Sequence, residues 1–579
     1  MRRDEASGRE RFGRQAGTFE GPARPDGPTA EPPGGTSGAG STTPGDVPPP
    51  TATFEWVGFG VCLAAFLGLA AWYFATVGTS VVDDAFIFLR YADRLVHGEG
   101  LTYTDGPPVE GYTSLLWTLV LAAGHLLPWE PLHFARVAGV ACGAGMVVTV
   151  WRTARLLAPR PAALVAAALV AVNRSAALWS VEAMDTSLFA CVLAFALWAW
   201  VRHGTRRVWG VPLAGLAFGV LIWSRPEGLL FAGLAGLIAG WAAGRGGTLR
   251  AFGAHAACAA ALLAAQVVFR WFEYGDLVPN TFHAKVQGVQ LGRGLEYLLG
   301  WARENVLVLP AGLAVAGAID LFQAGRRRPE ALWLGASAAC YLLYTALVGG
   351  DFFEFRMLVP LLPAGALLAA AGATAVARRV RPAGLRAATG ALLAVAVLAG
   401  SVWAIAAPPA NAAGRIRPDD PVELAEFGWF ERTARWLACN IDPRETLAIR
   451  PAGVIPYLTG ARALDMLGLN DREIARRATR YAGGTLGHQR IASAEYVRQR
   501  GASYLVGHPV RSSRPIEDPE LASAEVAPGE WLILLPLRAG TTLGPGAYPL
   551  TAATPLLEGW RPRTSGGRCV PHGSRRAGP

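Results

Sequence analysis

The sequence predicts a mainly α membrane protein: a polytopic bundle of about eleven spanning helices with juxtamembrane helices beside them, followed by a mixed α/β domain. Three observations carry that expectation. Uninterrupted apolar stretches recur from about Phe54 to Ala407. The 579 residues are 52% hydrophobic and only 17% charged, with a mean hydropathy of +0.30, a composition suited to lipid contact or a helix-bundle interior. The arginines of the turns fall on every second connection, the alternation expected of a chain that crosses a membrane repeatedly.

Residues 1–53 are rich in Gly, Pro, Arg, Glu and Thr and read as a disordered cytoplasmic tail. The first apolar stretch starts far from the N-terminus and no small-residue cleavage site lies near it, so no removable signal peptide is expected. Residues 54–407 form the membrane domain, with spans expected at about 54–77, 134–151, 161–178, 185–200, 209–223, 228–242, 251–269, 304–321, 330–347, 357–376 and 388–407.

One set of connections carries Arg152, Arg155 and Arg160, then Arg202, Arg206 and Arg207, Arg245 and Arg250, Arg326 to Arg328, and Arg378, Arg379, Arg381 and Arg386. The opposite set carries Asp83, Asp84, Glu110, Glu182, Asp185, Glu227, Glu273, Asp276, Asp351 and Glu354. Basic turns stay inside, which predicts a multi-pass plasma-membrane protein with a cytoplasmic N-terminus and an extracytoplasmic C-terminal domain. The net charge of +10 is spread over these turns and the two ends instead of forming a stripe, so no nucleic-acid partner is expected.

After the first span, Phe86 to Leu95 alternate apolar and charged positions at helical spacing, predicting a helix in the interface that ends at Gly98 and Gly100. Glu110 to Trp117 open an apolar stretch reaching Leu127, read as juxtamembrane or re-entrant because a full span there would invert every later charge assignment. Trp117, Trp179, Trp223 and Trp271 read as interfacial anchors that could also line a ligand groove.

Residues 408–560 read as a soluble domain: a helix over 422–440, strands at 445–450 and 454–457, a basic helix at 472–481, and strands at 502–507 and 531–535. Residues 561–579 read as a flexible end. Five cysteines sit in apolar stretches as small hydrophobes, whereas Cys439 and Cys569 could pair if the tail is extracytoplasmic.

The outer connections also carry a resemblance. Asp83-Asp84-Ala85-Phe86-Ile87 with Arg90-Tyr91, Gly98-Glu99-Gly100-Leu101 and Glu110-Gly111-Tyr112-Thr113 resemble the first outer loop of GT-C glycosyltransferases, in particular actinobacterial terminal arabinofuranosyltransferases. Ser224-Arg225-Pro226-Glu227-Gly228, the run from Tyr274 to Lys285, Gly349-Gly350-Asp351-Phe352 with Phe355-Arg356, Gly453 to Tyr457 and Asp465 to Asp471 extend it, so that it covers roughly residues 55–510. Two features depart from the family pattern. Pro107-Pro108 precede the Glu-Gly-Tyr-Thr motif, and the tail has Gly483-Gly484 and Gly487-His488 without the fuller Pro-Gly-His-Glu-Lys pattern, which bears on the acceptor.

The resemblance implies transfer of a sugar from a polyprenyl phosphate, arabinofuranose from decaprenyl-phosphate to a cell-wall arabinan acceptor being the expected case. A transporter or flippase of a lipid-linked glycan is the alternative of a different class. Such a transfer needs a carboxylate for the acceptor hydroxyl and cations for the departing phosphate. Asp84 is assigned as the base and Asp83 as an orienting or metal-assisting group, since adjacent helical residues point differently. Lys285, His283, Arg356 and Arg225 are the phosphate candidates, Lys285 standing out in a chain that otherwise uses almost only arginine. Arg225 could instead pair with Glu227, and Asp351 with Arg356. Glu110, Tyr112, Asp276, Asn280 and Asp351 are the acceptor or sugar candidates, and Asp83, Asp84 and Asp351 could hold a divalent cation such as Mg2+, Mn2+ or Ca2+.

Overall fold

The computed structural model describes residues 50–537 except 247–248, 287, 326, 407–415, 481–487, 517 and 519–520, together with 564–565 and 568–569. Residues 1–49 of the expected disordered head, the Gly483-Gly484 and Gly487 positions and most of the expected flexible end lie outside the described residues, while 50–53 belong to the first helix.

The first apolar stretch forms α1 (Pro50–Val77), and the two aspartates open α2 (Asp83–Val96), which stops at Gly98, φ 78°. α3 (Leu115–His125) begins where Ser114 accepts the N–H of Trp117 at 3.1 Å, a side-chain N-cap. Its 11 residues rise only ~17 Å, too short for a span. α4 (Pro131–Leu157) follows, then α5 (Arg160–Ala171) and α6 (Arg174–Val181), which meet at 52°. α7 (Thr186–His203), α8 (Leu213–Ser224), α9 (Gly228–Gly246) and α10 (Leu249–Tyr274) complete the first part of the bundle. α11 (Asn280–Lys285) is a short outer turn, and α12 (Leu291–Glu304) meets α13 (Val308–Gln323) at 101°. α14 (Arg328–Val348), a 3-10 turn over Arg356–Leu361 running into α15 (Leu362–Arg378), and α16 (Ala383–Ala406) finish it.

Each expected apolar stretch contains helix, but they are not eleven equal spans. Among the described residues seven helices are long and apolar enough to cross a membrane, or nine if each bent pair is one span. α8, with 12 residues, and α9 are shorter apolar helices. Large apolar side chains lie exposed on the spans, Phe272 and Leu392 among them, as lipid-facing surface requires.

Charge separates the two ends of the bundle. At one, Glu55 is buried against Arg155 (2.8 Å) and Arg160 (3.2 Å), and Arg327 donates to the carbonyls of Val201 and Leu156 at the ends of α7 and α4. At the other, Glu182 accepts the N–H of Val82 at 3.0 Å, and Asp185, Glu227, Glu110 and Asp276 all pair with arginines.

On that acidic end sits a small α/β layer. α17 (Pro421–Asn440), β1 (Thr446–Ile449), α18 (Val454–Thr459), β2 (Arg462–Asp465), α19 (Arg472–Arg477), α20 (Ala494–Gln499), β3 (Tyr504–Ser512), β4 (Ala522–Ala527) and β5 (Glu530–Pro536) follow in chain order. The sheet order is β2-β1-β3-β5-β4, parallel at β1–β2 and β1–β3 and antiparallel at β3–β5 and β4–β5. β6 (Thr564–Ser565) and β7 (Arg568–Cys569) form a separate ladder. Cys439 is disulfide-bonded, while the side chain of Cys569 lies outside the described residues.

Four expectations are corrected here. The segment 454–457 is helix α18 and not a strand, because the N–H groups at its start are taken by a carboxylate from α2. The basic helix ends at Arg477, and β2 and β4 join the sheet in addition to the expected strands. α2 does not lie open in the interface: Ala85 to Asp93 are all buried, with α18 against one side. Trp117 and Trp179 are buried core and not anchors, their Nε1 groups donating to the carbonyls of Ala183 and Glu354, whereas Trp271 is exposed.

Candidate active site

The C-terminal layer is pinned to the bundle by polar contacts, and these absorb several of the expected site residues. Both oxygens of Asp83 accept backbone N–H groups, from Gly453 and Val454, at 2.8 Å each. Gly453 permits that approach, since a Cβ there would stand 1.8 Å from the Asp83 carbonyl oxygen. Desolvation pushes the Asp83 carboxyl up to about 7, against the lowering effect of the two N–H donors. Arg90, also buried, donates to the carbonyls of Tyr103, Pro456 and Ala461.

Asn280 donates through Nδ2 to the carbonyls of Gly468 and Leu469 at 2.9 Å, and Asp276 pairs with Arg476 (2.6 Å) and Arg472 (3.2 Å), with His283 4.0 Å away. Glu110 is buried on Arg270 at 2.8 Å. The loop 465–471 is itself organised by Asp465, which accepts the N–H groups of Leu467 and Asn470 at 2.9 and 2.8 Å. Gly111 lies under that loop, where a Cβ would meet Asn470 Oδ1 at 1.8 Å. Asp83, Asp276, Asn280 and His283 therefore hold the two parts together, whereas Glu110 is spent on Arg270 within the bundle.

Of the other expected residues, Asp84, Tyr112, Arg225, Lys285 and Arg356 converge on a small open pocket, lined also by Thr113, Thr281 and Leu469 among others, with Asp351 beside Arg356. Asp84 comes from the first turn of α2, one position round the helix from Asp83 and so aimed elsewhere. Arg356 donates Nε to Asp351 at 2.7 Å, and its Nη1 stands 3.9 Å from Asp84 Oδ2. Its guanidinium lies over Phe353 and Trp179, at 4.6 and 5.6 Å from the ring centroids. That leaves a charged fork edged towards the pocket, the geometry that recognises phosphate oxygens. Lys285, the single lysine of the chain, ends α11 on the same pocket. Tyr112 Oη meets Tyr274 Oη at 2.9 Å behind it.

Arg225 reaches the pocket but is already engaged, with Asp185 at 3.0 Å and Glu227 at 3.0 Å, and Thr113 Oγ1 donates to the same Asp185 at 3.2 Å. The pairing with Glu227 that its neighbourhood in the sequence suggested is thus present, and Asp185 adds a second carboxylate.

One neighbour of the pocket was missed among the candidates. His488 comes from the C-terminal layer, its ring 4.8 Å from that of Phe352 and within electrostatic reach of Asp84 and Lys285. Burial pushes its imidazole down to about 4; Asp84 opposes this, while Lys285 and Arg450 add to it. The only sequence signal was Gly487-His488, which has no metal-ligand spacing and lies far along the chain from most of the residues that line the pocket.

The three carboxylates considered for a divalent cation do not converge. Asp83 is turned to Gly453 and Val454 and Asp351 is committed to Arg356. Among the described residues no group of three or more His, Cys, Asp or Glu could hold a metal ion.

A bundle of spans with an α/β layer over a carboxylate–cation pocket at one end defines a class: this is a multi-pass membrane protein of the GT-C fold. A family model described as dolichyl-phosphate-mannose-protein mannosyltransferase matches residues 113–271, and one described as a domain of unknown function matches 420–560. The chain is homologous to a terminal beta-(1->2)-arabinofuranosyltransferase of Mycobacterium tuberculosis, 30% identical over 340 residues, covering 50% of this chain and 52% of the relative. The protein of the same description from Corynebacterium glutamicum is 27% identical over 348 residues, covering 52% and 49%. The chain thus spans about half the length of the relatives it matches. Among solved structures, the archaeal oligosaccharyltransferase AglB from Archaeoglobus fulgidus, in complex with an inhibitory peptide and a dolichol-phosphate, superposes with a TM-score of 0.51 at 12% identity, covering 79% of this chain and 69% of that one.

Proposed function

We propose that the protein is a glycosyltransferase that takes a sugar from a polyprenyl phosphate, arabinofuranose from decaprenyl-phosphate in the first instance, and passes it to an arabinan acceptor of the cell wall. The observation that carries this reading is the pocket in which Asp84 faces Arg356 and Lys285. The homologous arabinofuranosyltransferases, and the dolichyl-phosphate in the description of the matching family, support the choice of donor and sugar. The protein lies in the plasma membrane with its N-terminus cytoplasmic and the pocket and C-terminal layer extracytoplasmic. The arginine-rich end and the disulfide-bonded Cys439 support that orientation.

In the reaction the bond between the anomeric carbon and the phosphate oxygen breaks as the acceptor hydroxyl oxygen bonds to that carbon. Asp84 receives the hydroxyl proton. Arg356 and Lys285 neutralise the charge that builds on the departing polyprenyl phosphate. Arg225, held between two carboxylates, shapes the pocket wall.

The test incubates purified wild-type and Asp84→Asn protein with radiolabelled decaprenyl-phosphoryl arabinofuranose and a short arabinan acceptor. Labelled glycan from wild type alone, with the variant folded, supports the reading. No product from a wild type that binds the donor rejects this donor–acceptor pair, and labelled lipid crossing the bilayer unchanged would turn the reading to transport.

A further inference from the structure

The least explained part of the bundle is α12. It is not a continuation of α13: the two meet at 101°, so when α13 crosses the membrane α12 lies in its plane over ~21 Å. The bend is enforced locally. Val306 has φ 49°, in the left-handed region that β-branched residues avoid.

The helix has three faces. Gly294 and Tyr297 are buried, and a Cβ at Gly294 would stand 2.0 Å from the Ala346 carbonyl oxygen, so α12 presses its backbone onto α14. On one flank Leu291, Leu295 and Leu299, four residues apart, are 45, 46 and 52% exposed. On the other flank Arg293, Glu296 and Arg303 are exposed. The apolar flank is continuous in the chain with Val308, Val315, Ile319 and Phe322, exposed large apolar residues of α13. A helix with one protein face, one apolar face and one charged face fits the boundary between headgroups and acyl chains.

Its protein face leads to the pocket. The Tyr297 ring stands 5.6 Å from Phe355, and Gly350 makes room for it, since a Cβ there would be 2.4 Å from that ring. Tyr297 thus braces the 350–356 loop that carries Asp351 and Arg356. Lys285 closes α11, the helix that precedes α12 by five residues in the chain.

We infer that α12 is an interfacial helix whose leucine flank inserts into the leaflet on the pocket's side, and that through Tyr297 it sets Arg356 at the depth of a lipid phosphate. The second half rests on the transferase reading above; the first does not. Arg293 and Arg303 are balanced by Glu296 and Glu304, so the insertion is apolar and needs no anionic lipid.

Single cysteines Leu295→Cys, Leu299→Cys and Glu296→Cys in the full chain, with the five free cysteines changed to alanine, would carry an environment-sensitive dye in phosphatidylcholine vesicles. Nitroxide on shallow acyl carbons should quench the dye at 295 and 299, and aqueous iodide the dye at 296. Iodide quenching at all three positions would overturn the insertion, whether or not the protein transfers sugar. Leu295→Glu with Leu299→Glu should then raise KM for a long-chain polyprenyl donor in vesicles by about tenfold with kcat kept, and leave KM for a short soluble donor unchanged. A fall in kcat with both donors, or an unchanged KM with the long one, would overturn the role in setting depth.

Discussion

Asp83 and Asp84 are adjacent on α2 and serve different parts of the molecule. Asp83 is bound through both oxygens to the N–H groups of Gly453 and Val454, while Asp84 faces the pocket 3.9 Å from Arg356. One turn of helix therefore both fastens the C-terminal layer and supplies the carboxylate over which that layer closes.

The two aspartates should separate in mutagenesis. Asp84→Asn should lower kcat by about 10²- to 10⁴-fold with an unchanged melting temperature. Asp83→Ala leaves two buried N–H donors without an acceptor and should cost about 1–3 kcal/mol of stability. Thermal unfolding in detergent beside an activity assay reads both, and the reverse pattern would exchange the roles assigned here.

The Asp83 contact also predicts a pH dependence. Its carboxyl, raised from 3.8 to about 7, keeps a proton in the folded protein that the unfolded chain has already released. The corresponding stability is fully present below about pH 4 and is lost as pH rises towards about 7, with no further change above. Asp83→Asn cannot titrate, so the difference between the wild-type and variant melting curves should fall across that window. A difference that is flat with pH would refute the assignment.

Arg225 should behave as a structural cation. Removing it as Arg225→Met leaves Asp185 and Glu227 facing each other without a counter-charge, at a cost of about 3–5 kcal/mol. Adding Asp185→Asn and Glu227→Gln should restore much of the melting temperature. A phosphate-binding role predicts the opposite: a stable single variant with a raised donor KM.

His488 stays neutral down to about pH 4, so it should contribute as a hydrogen-bonding group and not as a cation. His488→Ala should lower kcat/KM by about tenfold, and His488→Gln, which keeps a neutral polar group, by less. Neither should move the acid limb of the pH–rate profile. A limb near pH 6.5 that vanishes in both variants would show a protonated His488 at work.

Much of this is legible in the sequence alone. The helices from Phe54 onward follow from apolar runs, and the sharing of one end by Asp83, Asp185, Glu227 and Asp351 follows from the alternation of charge along the turns. α8 and α17 also fall close to the expected limits. These features are local, fixed by residues within a few turns of one another.

What the sequence determined by itself, then, was a repeatedly membrane-crossing chain with acidic and basic ends and a set of polar residues at the acidic one. The tertiary structure alone decided how those residues divide. α18 reads as a strand from Val454 and Ile455, yet its first N–H groups are met by Asp83, 370 positions away. His488 reaches Phe352 only because the C-terminal layer folds back over the bundle. Arg225 is held between Asp185 and Glu227, while Arg356 pairs with Asp351 and keeps one Nη towards Asp84, because of which carboxylates packing brings beside each. A side chain's type fixes what chemistry it can do; its charge partners, burial and aim come from elements distant in the chain, and no local pattern encodes them.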